Sequence, residues 1–180
     1  SEEYLKKANQ LEINKIEIDI HNYRSWIVNS IRILTNSSRY IPERYKRRFD
    51  ATIVVNYENG TRCVFQGRIR NHGDEKDHIS LLDNTVIQSL DVHLNNGNIR
   101  GITKFKLLLP KTRGNLNDEI LLTELLRNLN YLAPRTIKVD ARINEANSPM
   151  IFQEKAAKEL LEFNKRREGP ILEGDERYWI

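Results

Sequence analysis

Two arginines, two positions apart in a strand-like stretch, are the side chains of this sequence best suited to anion chemistry. Arg68 and Arg70 alternate with Gly67 and Ile69, so both side chains would leave the same face of a β-strand. Two guanidinium groups on one face can form a fork for a phosphate or a carboxylate. The same pattern is equally typical of a solvent-facing strand surface, or of a bridge to Asp50 across a hairpin. The residues alone leave these interpretations open.

A polar loop with two histidines and two aspartates follows the arginines. His72, Asp74, Asp77 and His78 carry imidazole and carboxylate groups, which are common metal ligands. Their spacing matches no metal-binding motif, and aspartates in loops often accept hydrogen bonds from the backbone. The favoured interpretation is therefore a structural loop, and no metal site is predicted.

A β-hairpin is the clearest local pattern, and it positions the two arginines. Apolar residues alternate from Phe49 to Tyr57, and they alternate again from Cys63 to Ile69. Asn59-Gly60 lies between the two runs and predicts a type I′ turn. Cys63 is the only cysteine, which excludes an internal disulfide and favours a packing role.

The remaining elements follow from periodicity and from helix-capping residues. We expect a strand at 16–20, a helix at 23–34 capped by Asn22, strands at 86–94, 103–109, 137–143 and 150–152, a helix at 121–129 and a last helix at 154–167. This order predicts an α+β fold with a mainly antiparallel sheet and three to four helices. Residues 1–10 would form a polar N-terminal segment, and residues 11–180 a single domain.

Composition narrows the function classes. The 180 residues carry a formal net charge of +4, with basic clusters at 44–48 and 165–167. Interspersed acidic residues and the lack of an aromatic-basic RNA motif favour a solvated loop and a helix end, so no specific nucleic-acid binding is expected. No apolar run approaches the roughly 20 residues of a membrane span. The sequence also lacks a Walker loop and any evident hydrolase triad. Ser1 and the single Met150 suggest a piece of a longer protein.

Motifs near the end of the chain are the most specific feature. Lys158-Glu159-Leu160-Leu161-Glu162 is followed by Arg166-Arg167-Glu168-Gly169-Pro170-Ile171. Together with earlier segments these motifs resemble, in the same order, the spore-coat-protein-H (CotH) kinase-like family. The matching segments are 68–74, 77–78, 105–113, 133–135, 153–154, 158–162, 166–171 and 175–176.

The CotH resemblance implies a remote protein-kinase fold, with this chain as the N-lobe-like, nucleotide-side part of a larger domain. It implies ATP and Mg²⁺ as cofactors. The phosphate-side cations would be Arg68, Arg70, Lys104, Lys106, Lys111 and Arg113, with Glu154 as the matching carboxylate. The other motif residues are Gly73, Asp74, Asp77, His78, Arg135, Arg166, Arg167 and Glu168. For Arg166, Arg167 and Glu168 a structural role is favoured. Glu154 also has a structural explanation, because an acid at the start of a helix interacts favourably with the helix dipole.

Two departures from the family pattern produce two hypotheses. Asp91 stands where a basic residue is expected, and Asn71 stands where lysine is common. The first hypothesis is part of an ATP- and Mg²⁺-dependent protein kinase, inactive alone, whose partner is a protein substrate. The second is a non-catalytic structural or interaction module that binds an assembly partner in a cell surface layer, a coat or a particle.

Overall fold

Seven β-strands form a closed barrel in the computed structural model, which describes residues 9–82, 85–114 and 117–172. The strands are β1 Ile13–Ile20, β2 Phe49–Tyr57, β3 Arg62–Asn71, β4 Ile79–Leu82, β5 Thr85–Gln88, β6 Leu90–Leu94, β7 Lys104–Leu108, β8 Thr136–Ile143 and β9 Ala146–Glu154. The barrel order is β1-β2-β3-β6-β7-β9-β8, and β4 and β5 form a separate hairpin. The helices in the described residues are α1 Tyr23–Thr35, α2 Asp118–Asn128 and α3 Lys158–Phe163.

The barrel closes through a parallel pair of strands. Lys15 to Ile18 of β1 align with Asp140 to Ile143 of β8, whereas every other neighbouring pair in the barrel is antiparallel. The expected fold class, an α+β arrangement with a kinase N-lobe-like sheet, is therefore wrong. Local periodicity predicts individual strands, but it contains no information about a parallel pairing between distant segments.

The interior of the barrel is the hydrophobic core. Alternate residues of each strand point inward, among them Ile16, Ile53 and Val92, which are completely buried. Phe105 and Phe152 stack inside the barrel with their ring centroids 4.6 Å apart. Because most inward positions are taken by apolar residues, most polar residues of the same strands are directed to the outer face.

Helix α1 confirms the helix predicted after Asn22. The Asn22 side chain accepts a hydrogen bond from the Ser25 backbone N–H at 3.2 Å, which caps the helix. Trp26 then packs edge to face on Phe49 with centroids 5.1 Å apart. No helix in the described residues is both long enough and apolar enough to cross a lipid bilayer.

The hairpin of β2 and β3 is confirmed, but its turn type differs from the prediction. Gly60 has a φ of +82°, whereas Asn59 does not have a positive φ, as a type I′ turn would require. The Tyr57 N–H bonds to the Thr61 carbonyl and the Gly60 N–H to the Tyr57 carbonyl. These bonds define a three-residue loop in which only the glycine adopts the left-handed conformation.

The single strand predicted at 86–94 is two strands in different sheets. The break is Ser89, which is completely buried. Its N–H donates to the His78 carbonyl and its carbonyl accepts from the His72 N–H. At Ser89 the chain therefore passes from the β4–β5 hairpin to the barrel strand β6. The same residue also anchors the polar loop through its bonds to His72 and His78.

The helix predicted at 154–167 was placed too early. Glu154 is the last residue of β9 and pairs with Phe105 of β7. Helix α3 begins only at Lys158, and Lys165 has a φ of +52° just beyond its end. Residues 175–176, which belong to the CotH resemblance, and residues 1–8 lie outside the described part of the chain.

Candidate anion-binding site

Four neighbouring strands place eight polar residues on the outer face of the barrel in two aligned rows. The pairing of β3, β6, β7 and β9 sets the register of both rows. The first row is Arg70, Asp91, Lys106 and Gln153. The second row is Arg68, His93, Lys104 and Lys155, and Lys155 is placed by the bond of its N–H to the Lys104 carbonyl. Arg68 and Arg70 thus lie in different rows of one polar surface.

Asp91 is the only carboxylate in the two rows, and its side chain is 2% exposed. Lys155 Nζ lies 3.0 Å and Arg70 Nη2 3.3 Å from Oδ2, while Arg48 Nη2 lies 3.6 Å from Oδ1. Burial by itself would raise the pKa of Asp91. The hydrogen bond and charge of Lys155 and the charge of Arg70 outweigh burial and lower that pKa to about 2. Asp91 is therefore a fixed negative charge at neutral pH.

His93 lies beside this carboxylate but carries no charge at neutral pH. Burial lowers the pKa of His93 to about 4. The charge of Asp91 opposes this shift, and the charges of Arg48 and Lys155 add to it. Its Nε2 accepts a hydrogen bond from Arg48 Nη2 at 3.1 Å. Nε2 also lies 3.0 Å from Asp91 Oδ1, yet that oxygen has no hydrogen-bond donor. A neutral imidazole that accepts at Nε2 cannot donate there, which explains the missing bond.

A polar cleft of about 840 Å³ opens over the first row. Arg70, Asp91, Lys106 and Gln153, together with Lys155, form what we call the floor of the cleft. The loop from Asn71 to His78 forms one wall, and Arg113, from a short 3₁₀ helix after β7, lines the cleft as well. The site is therefore built from barrel strands, which are fixed by the core, and from two connections.

The loop wall is fixed by close packing at Gly73. Its φ is +98°, and a Cβ there would lie 2.0 Å from Cδ2 of His78. His78 Nδ1 is in turn 3.1 Å from the buried Ser89 Oγ, and the rings of His72 and His78 meet edge to face at 5.4 Å. Any residue with a side chain at position 73 would push the His78 ring from its place.

His72 is held neutral next to the floor. Burial, and then the charge of Lys106, lowers its pKa to about 3. The pKa of His78 is also lowered, mainly by burial. Two uncharged imidazoles, those of His72 and His78, therefore line the cleft.

Three of the four carboxylates at the cleft mouth, Glu43, Asp74 and Glu75, are paired with local cations. Lys46 forms ion pairs with Asp74 and, at 3.3 Å, with Glu43. Glu75 pairs at 2.9 Å with Arg39, a residue that does not line the cleft. Asp77 Oδ1 lies 3.9 Å from His78 Nε2. In the described residues, no group of three or more His, Cys, Asp or Glu side chains is arranged to hold a metal ion.

The deeper part of the cleft has a surplus of cations. Arg48, Arg70 and Lys155 contact the single carboxylate of the floor, Asp91, and Lys106 is its cross-strand neighbour on β7. Arg113 lines the same cleft. No ion pair joins Arg113 to a described carboxylate, and its buried Nε has no hydrogen-bond partner. Buried Nη1 of Arg48 has no partner either. Burying such donors costs free energy, so an anion that compensates their charge is favoured here.

The structure brings about half of the predicted site residues to this cleft. Those lining it are Arg70, Gly73, Asp74, Asp77, His78, Lys106 and Arg113. Lys104 lines a neighbouring groove, Arg68 is exposed in the second row, and Lys111 Nζ donates to the Ile79 carbonyl. Near the chain's end, Arg166 donates to the Asn130 carbonyl, Glu168 pairs with Lys158, and Arg167 is exposed.

Glu154 and Arg135 lie on the opposite side of the sheet from the cleft. Arg135 Nε and Nη2 donate to the two Glu154 oxygens at 2.8 Å each, and Nη1 donates to the Arg100 carbonyl at 2.8 Å. The Phe163 ring of α3 covers the guanidinium at 3.9 Å. The two side chains are only 4% and 1% exposed. This closed pair joins β9, the entry to β8 and helix α3, so Glu154 does not converge with the cations of the cleft.

Sequence reasoning missed three contributors to the site. Arg48 was assigned to a solvated loop, and Lys155 was placed in the first turn of a helix. Asp91 was noticed only as a departure from a family pattern. Extending the alternation of β9 by one residue past Glu154 would have placed Lys155 on the outer face with Gln153.

Comparison with known proteins adds no relative. No protein-family model matches the sequence, and a search of curated proteins finds no significant match. The resemblance to CotH-like proteins therefore stays a prediction from its motifs.

Proposed function

We propose that this protein is a binding module for a phosphate-bearing ligand, which it holds on the floor of the cleft. The observation that supports this function is the grouping of cations at the floor, where Arg48, Arg70 and Lys155 contact one carboxylate, Asp91. Lys106 and Arg113 line the same cleft. Phosphate oxygens accept several charge-assisted hydrogen bonds at once, which suits a mixed set of lysine and arginine donors.

The donor set suits phosphate better than a divalent cation. Magnesium prefers carboxylate oxygens, and the one carboxylate of the floor already contacts Arg48, Arg70 and Lys155. ATP with Mg²⁺, and phosphotransfer in a longer parent protein, remain predictions of the CotH resemblance. The phosphates of ATP would fit the cationic floor, whereas a metal site there would compete with three ion pairs.

Isothermal titration calorimetry with orthophosphate and with ATP, each with and without Mg²⁺, tests the proposal. We expect binding of both ligands, with no requirement for Mg²⁺. Arg70→Gln should weaken it about tenfold or more, because a charge-assisted hydrogen bond contributes roughly 1.5–3 kcal/mol.

Arg62→Gln is the matched control for this titration. Arg62 begins the same strand, is exposed, and does not line the cleft. This variant loses the same charge and should keep the wild-type affinity. Equal losses in the two variants would indicate nonspecific attraction to a basic protein, and the proposal would fail. No binding of orthophosphate or ATP at millimolar concentration would also exclude it.

A non-catalytic module is the form of this function that the geometry favours. Phosphotransfer needs a carboxylate that is available for metal or for the acceptor hydroxyl, and Asp91 is engaged by cations. Incubation with γ-labelled ATP and Mg²⁺ should therefore give binding without transfer of label to the chain or to added protein. Transfer of label that Asp91→Asn abolishes would instead assign kinase activity to this site.

A further inference from the structure

A second basic groove adjoins the cleft. It encloses about 510 Å³, and its polar lining includes His93, Lys104, Lys155 and Lys158. Glu168 is the one carboxylate in this lining, and it pairs with Lys158 at 2.5 Å. Lys104 makes no ion pair with a described residue and is exposed on the outer face. The groove therefore offers positive charge beyond the cleft.

Lys155 joins the groove and the cleft, since it lines both of them. Lys106 of the cleft and Lys104 of the groove are two residues apart on the same face of β7. That separation corresponds to roughly 7 Å along a strand. One phosphate on the floor is too small to contact both lysines, whereas linked phosphates can follow the row of cations from Lys106 to Lys104.

We infer that the ligand is a linear oligophosphate that lies across both the cleft and the groove, with Lys155 at the junction. This inference rests on the proposed phosphate binding and specifies the class of ligand. Neither lining contains a Phe, Tyr or Trp side chain among the described residues. Surfaces that bind single-stranded nucleic acid generally use such rings to stack bases, so an oligophosphate fits these walls better.

Titration with orthophosphate, pyrophosphate and tripolyphosphate tests this inference on the full 180-residue chain. Affinity should rise at least tenfold from orthophosphate to tripolyphosphate, because additional phosphates reach the cations of the groove. Lys104→Gln should lower tripolyphosphate affinity about tenfold and change orthophosphate affinity less than twofold. Lys138→Gln is the control, since Lys138 is exposed on β8 and lines neither site.

Each other outcome has a definite meaning. Orthophosphate binding that does not strengthen with phosphate number, or an equal effect of Lys104→Gln on both ligands, would overturn the inference and leave the proposed cleft intact. Failure of all three phosphates to bind would overturn both. A nucleoside triphosphate or a short single-stranded oligonucleotide that binds more than tenfold tighter than tripolyphosphate would show that bases are recognised, which also contradicts the inference.

Discussion

Two buried carboxylates of the barrel, Glu154 and Asp91, are surrounded by cations in different ways. Glu154 faces inward, has one arginine partner, and both of its oxygens accept hydrogen bonds from Arg135. Asp91 faces outward, contacts Arg48, Arg70 and Lys155, and has one oxygen without a hydrogen-bond donor. A balanced pair that is sealed by an aromatic ring stabilises structure. A carboxylate outnumbered by cations beside a cleft leaves positive charge for a ligand.

The largest effect is expected from breaking the balanced pair. Arg135→Met should lower the free energy of unfolding by roughly 3–5 kcal/mol, because Glu154 would stay buried without a partner. Urea denaturation at pH 7 measures this loss. The double variant Arg135→Met, Glu154→Leu should recover most of it. A loss below about 1 kcal/mol in the single variant would contradict this prediction, because it would show that Glu154 without its arginine partner does not destabilise the folded state.

The neutral histidine beside the floor should make the protein sensitive to acid. The folded-state pKa of His72, about 3, lies below its ordinary value of 6.5. The unfolded chain therefore binds the proton first, so stability is full above pH 6.5 and falls as the pH drops toward 3. For His72 this loss amounts to about 3 kcal/mol between pH 7 and pH 4.

His72→Gln should remove that part of the pH dependence. Urea denaturation of the variant and the wild type at pH 7 and pH 4 provides the comparison. His93, with a pKa lowered to about 4, keeps its own contribution in both proteins. An unchanged loss of stability between the two pH values in the variant would mean that His72 titrates normally.

Asp91→Asn should alter the surplus of charge directly. Its pKa of about 2 lies below the ordinary 3.8, so the stability it contributes is present above pH 4 and lost as the pH falls toward 2. The substitution should cost about 2 kcal/mol at neutral pH and reduce the acid sensitivity between pH 4 and pH 2. It should also tighten orthophosphate binding, since the competing anion is removed. Weaker phosphate binding in this variant would show that Asp91 organises the floor rather than competing with the ligand.

The smallest effect is expected at Arg68, which shares a face with Arg70 but does not line the cleft. Arg68→Gln should change stability by less than about 0.5 kcal/mol and leave orthophosphate affinity within twofold of wild type. Calorimetry and urea denaturation measure the two quantities. A tenfold loss of affinity would restore the interpretation of Arg68 and Arg70 as one phosphate fork.

Sequence reasoning succeeded where structure depends on neighbours along the chain. The cap at Asn22, the hairpin around Gly60 and the helix beginning near Asp118 follow from local residue preferences, and all three are present. Sequence reasoning failed where contacts between distant segments determine where an element ends. Ser89 ends a strand because it is held by His72 and His78, a contact that no local pattern contains.

The site was only partly predictable for a related reason. Adjacent residues of a strand point to opposite faces, so extending β9 instead of starting a helix reverses the roles of two neighbours. Glu154 becomes part of the core and Lys155 part of the cleft. Likewise, Arg48 lies beside the floor, with its Nη2 3.6 Å from Asp91 Oδ1, whereas composition alone suggested a solvated loop.

The parallel pairing of β1 with β8 has a consequence for how the chain must fold during synthesis. One side of β1 is covered by β2, which follows soon after it, whereas the other side waits for residues 140–143. Until those residues leave the ribosome, the backbone groups along that side of β1 form an unpaired edge of the kind that recruits foreign strands. The closing contact spans most of the described chain, so its formation carries a large loop entropy and is slow. The barrel is thus most prone to aggregate before its last hairpin has been made.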